Sequence, residues 1–383
     1  MSIMGVYVHI PFCAKKCYYC DFHSIVVGDR AKFEKVANNY LLSVRQEALL
    51  YRSQLGDHRL SSLFFGGGTP SIMPVQELAD LITFLLGELP FVSTPEITIE
   101  ANPHSLTKES VAILKKAGVN RFSLGAQAFQ DSLLKSLGRL HRAGDVTSSV
   151  RLLREQGITN ISLDLMYGLP GQTVTDWQES LEQAVSLGPK HLSCYSLILE
   201  EGTPFATWEA RGLLELSSED LQAEMYEQAR MLLQKAGYEH YEISNFAKSG
   251  YESRHNLLYW QNKPFLALGS GATGYLNNQR YTNVPNVLEY MGRLGRKELP
   301  IDHLEQVPLE QAMEETMMVG MRLLCGVDEG EFAERFGLSF FQVFTEEIQD
   351  LLNRGLVDYV DGSLRVTERG LFLENQVSGA FLR

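Results

Sequence analysis

Six short apolar segments, separated by amphipathic stretches of helix length, constrain the fold of this chain more than any other feature. Gly5–Ile10, Ser61–Phe65, Glu96–Glu100, Arg121–Leu124, Asn160–Leu165 and His191–Leu197 read as strands. Between them, Lys32–Leu50, Val75–Leu86, Lys108–Ala117, Asp145–Gln156 and Val174–Ser186 carry apolar residues at helical spacing. Strand–helix–strand alternation of this kind winds right-handed into a parallel sheet. The run of such units fits an α/β barrel or partial (β/α) barrel better than a doubly wound sheet.

The rhythm changes near Ser217. Ser218–Ala236 reads as one long helix, Tyr241–Phe246 as a strand, and the stretch to Pro300 as loops rich in Tyr, Asn and Gly. From Pro308, helical segments precede a hairpin, Leu356–Val360 and Leu364–Val366 about the turn Asp361-Gly362, an order that resembles a winged-helix module. The expected organisation is a (β/α) core over 1–217, its extension over 218–300, and a smaller, mostly helical winged-helix-like domain over 301–383.

Charge narrows the function. With 34 Lys and Arg against 47 Asp and Glu, the net charge is −13, the wrong sign for broad binding to a phosphate backbone. Residues 301–383 hold six Arg, no Lys and sixteen Asp or Glu. A wing with that balance repels nucleic acid, so the domain reads as structural or partner-docking. MSIMGVYVHIPFC has no basic n-region before its apolar stretch and so does not read as a signal peptide. The most apolar window, Leu81 to Val92, is broken by Gly87, Glu88 and Pro90, so no transmembrane segment is expected and the location expected is the cytoplasm.

Three of the five cysteines crowd into Cys13-Ala-Lys-Lys-Cys17-Tyr-Tyr-Cys20, in the loop after the first strand. Thiolates suit iron–sulfur clusters or zinc. A structural zinc site wants four protein ligands, and here only His9 or His23 stands near enough in sequence to complete one. A [4Fe–4S] cluster on three cysteines leaves one iron open to a small molecule. The C-x3-C-x2-C spacing after the first strand resembles the signature of the radical S-adenosylmethionine (SAM) superfamily. That resemblance implies SAM chelated to the open iron through its amino and carboxylate groups, and one-electron cleavage of its sulfonium to a deoxyadenosyl radical.

Polar residues and glycines also gather where successive strands end, the side on which parallel α/β folds bind ligands. Strand two ends in Gly66-Gly67-Gly68-Thr69-Pro70, strand three at Glu100 and strand four at Gln127; strand five carries Asp164 before Gly168-Leu169-Pro170-Gly171. Each alone also reads as a cap or turn residue. Together they sharpen the resemblance to the branch that holds oxygen-independent coproporphyrinogen III oxidases and heme chaperones. By that similarity Tyr7, Gly67, Gly68, Thr69, Glu100, Gln127, Arg139 and Asp164 match SAM-binding positions. Tyr19, between two of the cysteines, reads either as a ring that packs an adenine face or as one that shields the cluster.

Two features divide the branch. The oxidases resemble C-x3-C-x2-C-x-C, and the position of their last cysteine is Phe22 here. His255-Asn256-Leu257-Leu258-Tyr259-Trp260 matches the H-N-x-x-Y-W motif of the heme chaperones. Imidazole is a common heme-iron ligand, and Tyr259 and Trp260 offer flat faces. A histidine among aromatics also reads as a hydrogen-bonded core element. The function implied is a heme chaperone carrying a three-cysteine [4Fe–4S] cluster with exchangeable SAM, ahead of an oxidase or another radical SAM enzyme. The partners implied are heme, SAM, a heme-acceptor protein, an electron donor and a second copy in a homodimer. Gly269-Ser-Gly271-Ala-Thr-Gly274 fits G-x-G-x-x-G but opens no helix, so it reads as a glycine loop near the SAM pocket rather than a dinucleotide turn. Cys194 and Cys325 read as small buried hydrophobes.

Overall fold

The computed structural model describes residues 3–383. All six expected strands are present: β1 (Ile3–Ile10), β2 (Arg59–Gly67), β3 (Phe91–Ala101), β4 (Arg121–Gln127), β5 (Asn160–Tyr167) and β6 (His191–Ser196). They pair in parallel and in chain order. Their connections carry α1 (Arg30–Tyr51), α2 (Val75–Glu88), α3 (Lys108–Lys116), α4 (Ala143–Glu155) and α5 (Val174–Ser186). Side chains alternate across a strand, and here the two faces differ in chemistry. Val6, Val8, Leu63, Phe65, Ile97, Ile99, Phe122, Leu124, Ile161 and Leu163 form the outer face and share one buried core with Leu41, Leu81, Leu114 and Leu181 of the helices. The intervening residues, among them Tyr7, His9, Ser62, Thr98, Glu100, Arg121, Ser123 and Asp164, make a polar inner face.

The segment expected as the single strand Tyr241–Phe246 divides in two. After α6 (Glu219–Lys235) come β7 (Glu239–Glu242) and β8 (Asn245–Ala247), folded back on each other, with β8 antiparallel to β6. No Gly or Pro marks this turn; the buried Glu242 carboxylate makes it by accepting bonds from Ser244 N and Asn245 Nδ2. The stretch expected as loops to Pro300 also carries regular structure. It holds α7 (Arg254–Trp260), β9 (Phe265–Leu268), β10 (Thr273–Leu276), β11 (Gln279–Asn283) and α8 (Val287–Gly295), and β12 (Ile301–Gln306) follows it. These elements are too short to show a period, and their partners lie far off in sequence. β9 pairs in parallel with β1, and β10 to β12 extend the sheet antiparallel to twelve strands, in the order β12-β11-β10-β9-β1-β2-β3-β4-β5-β6-β8-β7.

The sheet curls around α7. His255 Nδ1 lies 2.8 Å from Ser62 Oγ on β2, and Ser253 N donates to Tyr241 Oη on β7 at 3.3 Å. In a flat sheet those strands stand six steps of roughly 4.8 Å apart, about 29 Å, far beyond what three consecutive residues bridge. The inner face is therefore concave, and α7 sits inside it with its first amides bonded to Glu96 of β3.

Beyond the sheet, α9 (Leu309–Gly320) leads to the helical segments Glu329–Phe336, Phe340–Val343 and Thr345–Asn353 and to the hairpin Val357–Val360 and Ser363–Val366. Asp361 and Gly362 both take positive φ, 52° and 84°, as a two-residue hairpin turn requires. Arg322 ties this region to the sheet: its guanidinium bonds Glu242 at 2.7 and 3.0 Å and lies 4.6 Å from the Trp260 ring centre. Among the described residues, no helix is long and apolar enough to cross a membrane.

Candidate functional site

The concave face opens at the carboxyl ends of its strands into a hollow lined by Cys13, Cys17, Cys20, Tyr19, Phe22, Gly67, Gly68, Thr69, Glu100, Asn102, Ser123, Arg139 and Asp164. The cysteine loop reaches it because Phe12–Cys13 pairs with Ile25–Val26 and folds the loop over the strand ends. The glycines of β2 let it lie close. Gly68 N donates to Ile10 O at 2.7 Å and Thr69 N to Phe12 O at 2.8 Å. A Cβ on Gly68 would stand 2.6 Å from Phe12 O, and Gly67, at φ 102°, backs onto the His9 ring.

Two of the three sulfurs receive donors. Thr69 Oγ1 points at Cys13 Sγ and Arg139 Nη1 at Cys17 Sγ, each at 3.5 Å. Arg139 is otherwise held by Asn102 Oδ1 at 2.5 Å and Gly125 O at 2.6 Å, and Asn102 Nδ2 reaches Thr69 Oγ1 at 3.1 Å. Among the described residues, no three His, Cys, Asp or Glu side chains converge as ligands of one metal ion would. The thiols instead stand around a shared hollow, which suits the larger footprint of a multi-iron cluster with one thiolate per iron. Burial pushes the Cys20 thiol up to about 11 and raises Cys13, so metal binding here displaces protons.

Two carboxylates form the floor. Ser123 Oγ lies 3.1 and 3.0 Å from the two oxygens of Asp164, and Gly67 N donates to Glu100 at 3.2 Å. Burial, then the neighbouring Asp164 charge, raise Glu100 to about 8; burial also raises Asp164, opposed chiefly by Arg121. Asn102 and Ser123 escaped the sequence reading. The period-two run of polar and small residues Arg121, Ser123 and Gly125 on β4 was the signal for Ser123, and the polar position just past β3 was the signal for Asn102.

Tyr7 and Gln127 do not line this hollow. Tyr7 Oη lies 2.9 Å from His9 Nδ1, and Gln127 is buried at the end of β4 with φ 65°. Gly269 and Gly271 lie by His9 and His23 rather than among the cysteines, and a strand, not a helix, follows them. Cys194 is buried as expected. Cys325 is exposed, because it falls in the turn after α9 rather than on a packed face.

Residues 7–184 match the radical SAM superfamily and residues 307–373 the HemN C-terminal domain. The solved coproporphyrinogen III oxidase HemN from Escherichia coli, a radical SAM enzyme, shares the fold with a TM-score of 0.84 at 22% identity, over 99% of this chain and 90% of that one. The chain is 40% identical over 379 residues to the heme chaperone HemW of Bacillus subtilis (strain 168), covering 99% of both. To the heme chaperone HemW of Lactococcus lactis subsp. lactis (strain IL1403) it is 38% identical, covering 99% of this chain and 97% of the other. The chain belongs to the HemW family.

In this HemW-family chain the H-N-x-x-Y-W motif is α7 itself. His255 is 1% exposed; besides Ser62, its Nε2 lies 2.8 Å from Tyr259 Oη, so both ring nitrogens are engaged. The ring stacks on Phe64 at 5.0 Å, and burial followed by the Arg121 charge lower it to about 3. Trp260 packs under Arg322. Tyr259 reaches a second hollow, beside the cysteine loop.

Proposed function

We propose that this chain is a heme chaperone that holds a [4Fe–4S] cluster and SAM in the cysteine-lined hollow and delivers heme to an acceptor protein. The observation that carries this reading is the 40% identity with a heme chaperone across 99% of both chains. Phe22 supports it, standing where the oxidase pattern has a further cysteine. In this reading Cys13, Cys17 and Cys20 are the cluster ligands, and the bound cluster supplies an open iron and a single reducing electron.

The remaining residues fit SAM. Asp164, oriented by Ser123, accepts from ribose hydroxyls, and the backbone at Gly67, Gly68 and Thr69 admits the amino-acid end. Arg139 presents its charge to the cysteine loop and to a carboxylate, and Tyr19 offers a ring wall. Tyr7 and Gln127 act through His9 and the Gly125 strand end. An electron donor and a heme acceptor are the partners this function requires, and the acidic region 301–383 is the surface offered to them.

Anaerobically reconstituted protein titrated with hemin is expected to show a saturable Soret band. Cys13→Ala, Cys17→Ala and Cys20→Ala are each expected to lose iron–sulfur content. Stoichiometric product from coproporphyrinogen III under reducing, anaerobic conditions would overturn the chaperone reading in favour of the oxidase.

A further inference from the structure

One amide joins side chains from the ends of three neighbouring strands. Asn102 follows β3; its Oδ1 accepts from Arg139 Nη2 at 2.5 Å, and its Nδ2 donates to Thr69 Oγ1 at 3.1 Å. Thr69 stands just past β2 and Arg139 in the connection after β4. Beyond the amide, Thr69 Oγ1 lies 3.5 Å from Cys13 Sγ, and Arg139 Nη1 lies 3.5 Å from Cys17 Sγ. Both sulfur contacts therefore lead back to a single residue that touches neither sulfur.

The direction of each bond in this chain is forced. A guanidinium only donates, so the Asn102 amide turns its oxygen to Arg139 and its nitrogen to Thr69. Thr69 Oγ1 then accepts from Asn102, and its one proton is left for the Cys13 sulfur. Linked in series, such bonds polarise one another. The amide is itself fixed in place. Pro103 confines Asn102 to extended backbone, at φ −85° and ψ 137°. Asn102 O accepts from Ser105 N at 2.9 Å and from Ser105 Oγ at 2.6 Å. Ser105 Oγ lies 2.6 Å from the Oγ of Ser71, two residues past Thr69, and Gly125 O holds the Arg139 guanidinium at 2.6 Å.

We propose that Asn102 is a positioning residue for electron transfer: by aiming Thr69 at Cys13 and Arg139 at Cys17, it raises the reduction potential of the [4Fe–4S] cluster those cysteines hold. The proposal rests on the cluster reading above. A hydroxyl proton and a guanidinium directed at the sulfurs stabilise the negative charge that reduction adds, more than they stabilise the oxidised form. Loss of Asn102 frees both donors to turn elsewhere, which disfavours reduction. Water admitted by a merely loosened loop acts the other way, because it favours the more highly charged, reduced cluster. The sign of the shift therefore separates positioning from structural support.

The test is an anaerobic redox titration of the full chain with its cluster reconstituted and no SAM added, poised with dithionite and read by the electron paramagnetic resonance of the reduced cluster. Wild type is compared with Asn102→Ala, with Asn102→Leu, which keeps a similar shape but loses both bonds, and with Thr69→Val, which removes the Cys13 donor alone. At iron and sulfide contents equal to wild type, both Asn102 variants are expected to shift the reduction equilibrium about tenfold toward the oxidised cluster. For one electron that is a midpoint about 59 mV more negative. Thr69→Val is expected to shift it in the same direction by less. A wild-type or more positive midpoint in the Asn102 variants overturns the proposal and leaves the cluster reading intact. Loss of iron from both variants also overturns it, because Asn102 is then a residue the loop needs to fold. A wild-type chain that takes up no cluster overturns both.

Discussion

Ser62 Oγ and His255 Nδ1 meet at 2.8 Å although 193 residues separate them in the chain. The pair pins α7 inside the curled sheet, and Glu96 secures the same helix from β3. His255→Ala removes two hydrogen bonds and leaves a void against Phe64. It is expected to cost on the order of 2–4 kcal/mol of stability, read as a lower urea midpoint. An unchanged midpoint would mean that α7 is not a structural plug.

The cysteine loop depends on one missing methyl group. Gly68→Ala drives a Cβ into Phe12 O and Ile10 O, so the variant is expected to lose most of its iron and its SAM affinity. Gly28→Ala meets nothing within 4 Å and serves as the neutral comparison. Equal iron content in the two variants would refute the close approach.

Glu47 on α1 is fully buried, bonded by Gly269 N at 2.9 Å, Asn283 Nδ2 at 2.6 Å and Tyr290 Oη at 2.5 Å. Burial outweighs those donors and raises its pKa from 4.5 to about 7. The folded chain thus holds this proton more tightly than the unfolded one. The Glu47 contribution is most favourable below pH 4.5, weakens as pH rises to 7 and levels off above that. The change is on the order of 3 kcal/mol. Urea midpoints at pH 5 and pH 7.5 are expected to differ less in Glu47→Gln than in wild type.

Arg322 is the ion partner of Glu242, whose side chain is fully buried. Arg322→Ala strands that carboxylate and bares the Trp260 ring, an expected loss of about 3–5 kcal/mol. Loosening should be greatest between the sheet and residues 307–373, so hydrogen exchange is expected to rise first around β7 and α9. Uniform exchange across the chain would argue against Arg322 as the tie.

The first two-thirds of the fold was legible because β1 to β6 each pair with the strand before or after them in the chain and bury an apolar face on the helix between. β9 was not legible. Its four residues pair with β1, whose matching positions lie about 260 residues earlier, and no local pattern announces such a partner. In the site, residues at strand ends were readable by type, and Cys13, Cys17, Cys20, Glu100, Arg139 and Asp164 do gather. Asn102 and Ser123 were missed because they act through neighbours. The motif at His255 showed an imidazole among rings, but whether its nitrogens are spent depends on Ser62, which sequence spacing does not bring near.

Because β9 and α7 arrive so late, synthesis has an order built into it. While a ribosome is still making the first 250 residues, β1 has β2 on one side and an unpaired edge on the other, and the concave face has nothing in it. An unpaired edge invites mispairing, so the nascent chain needs shielding there until residue 268 has emerged.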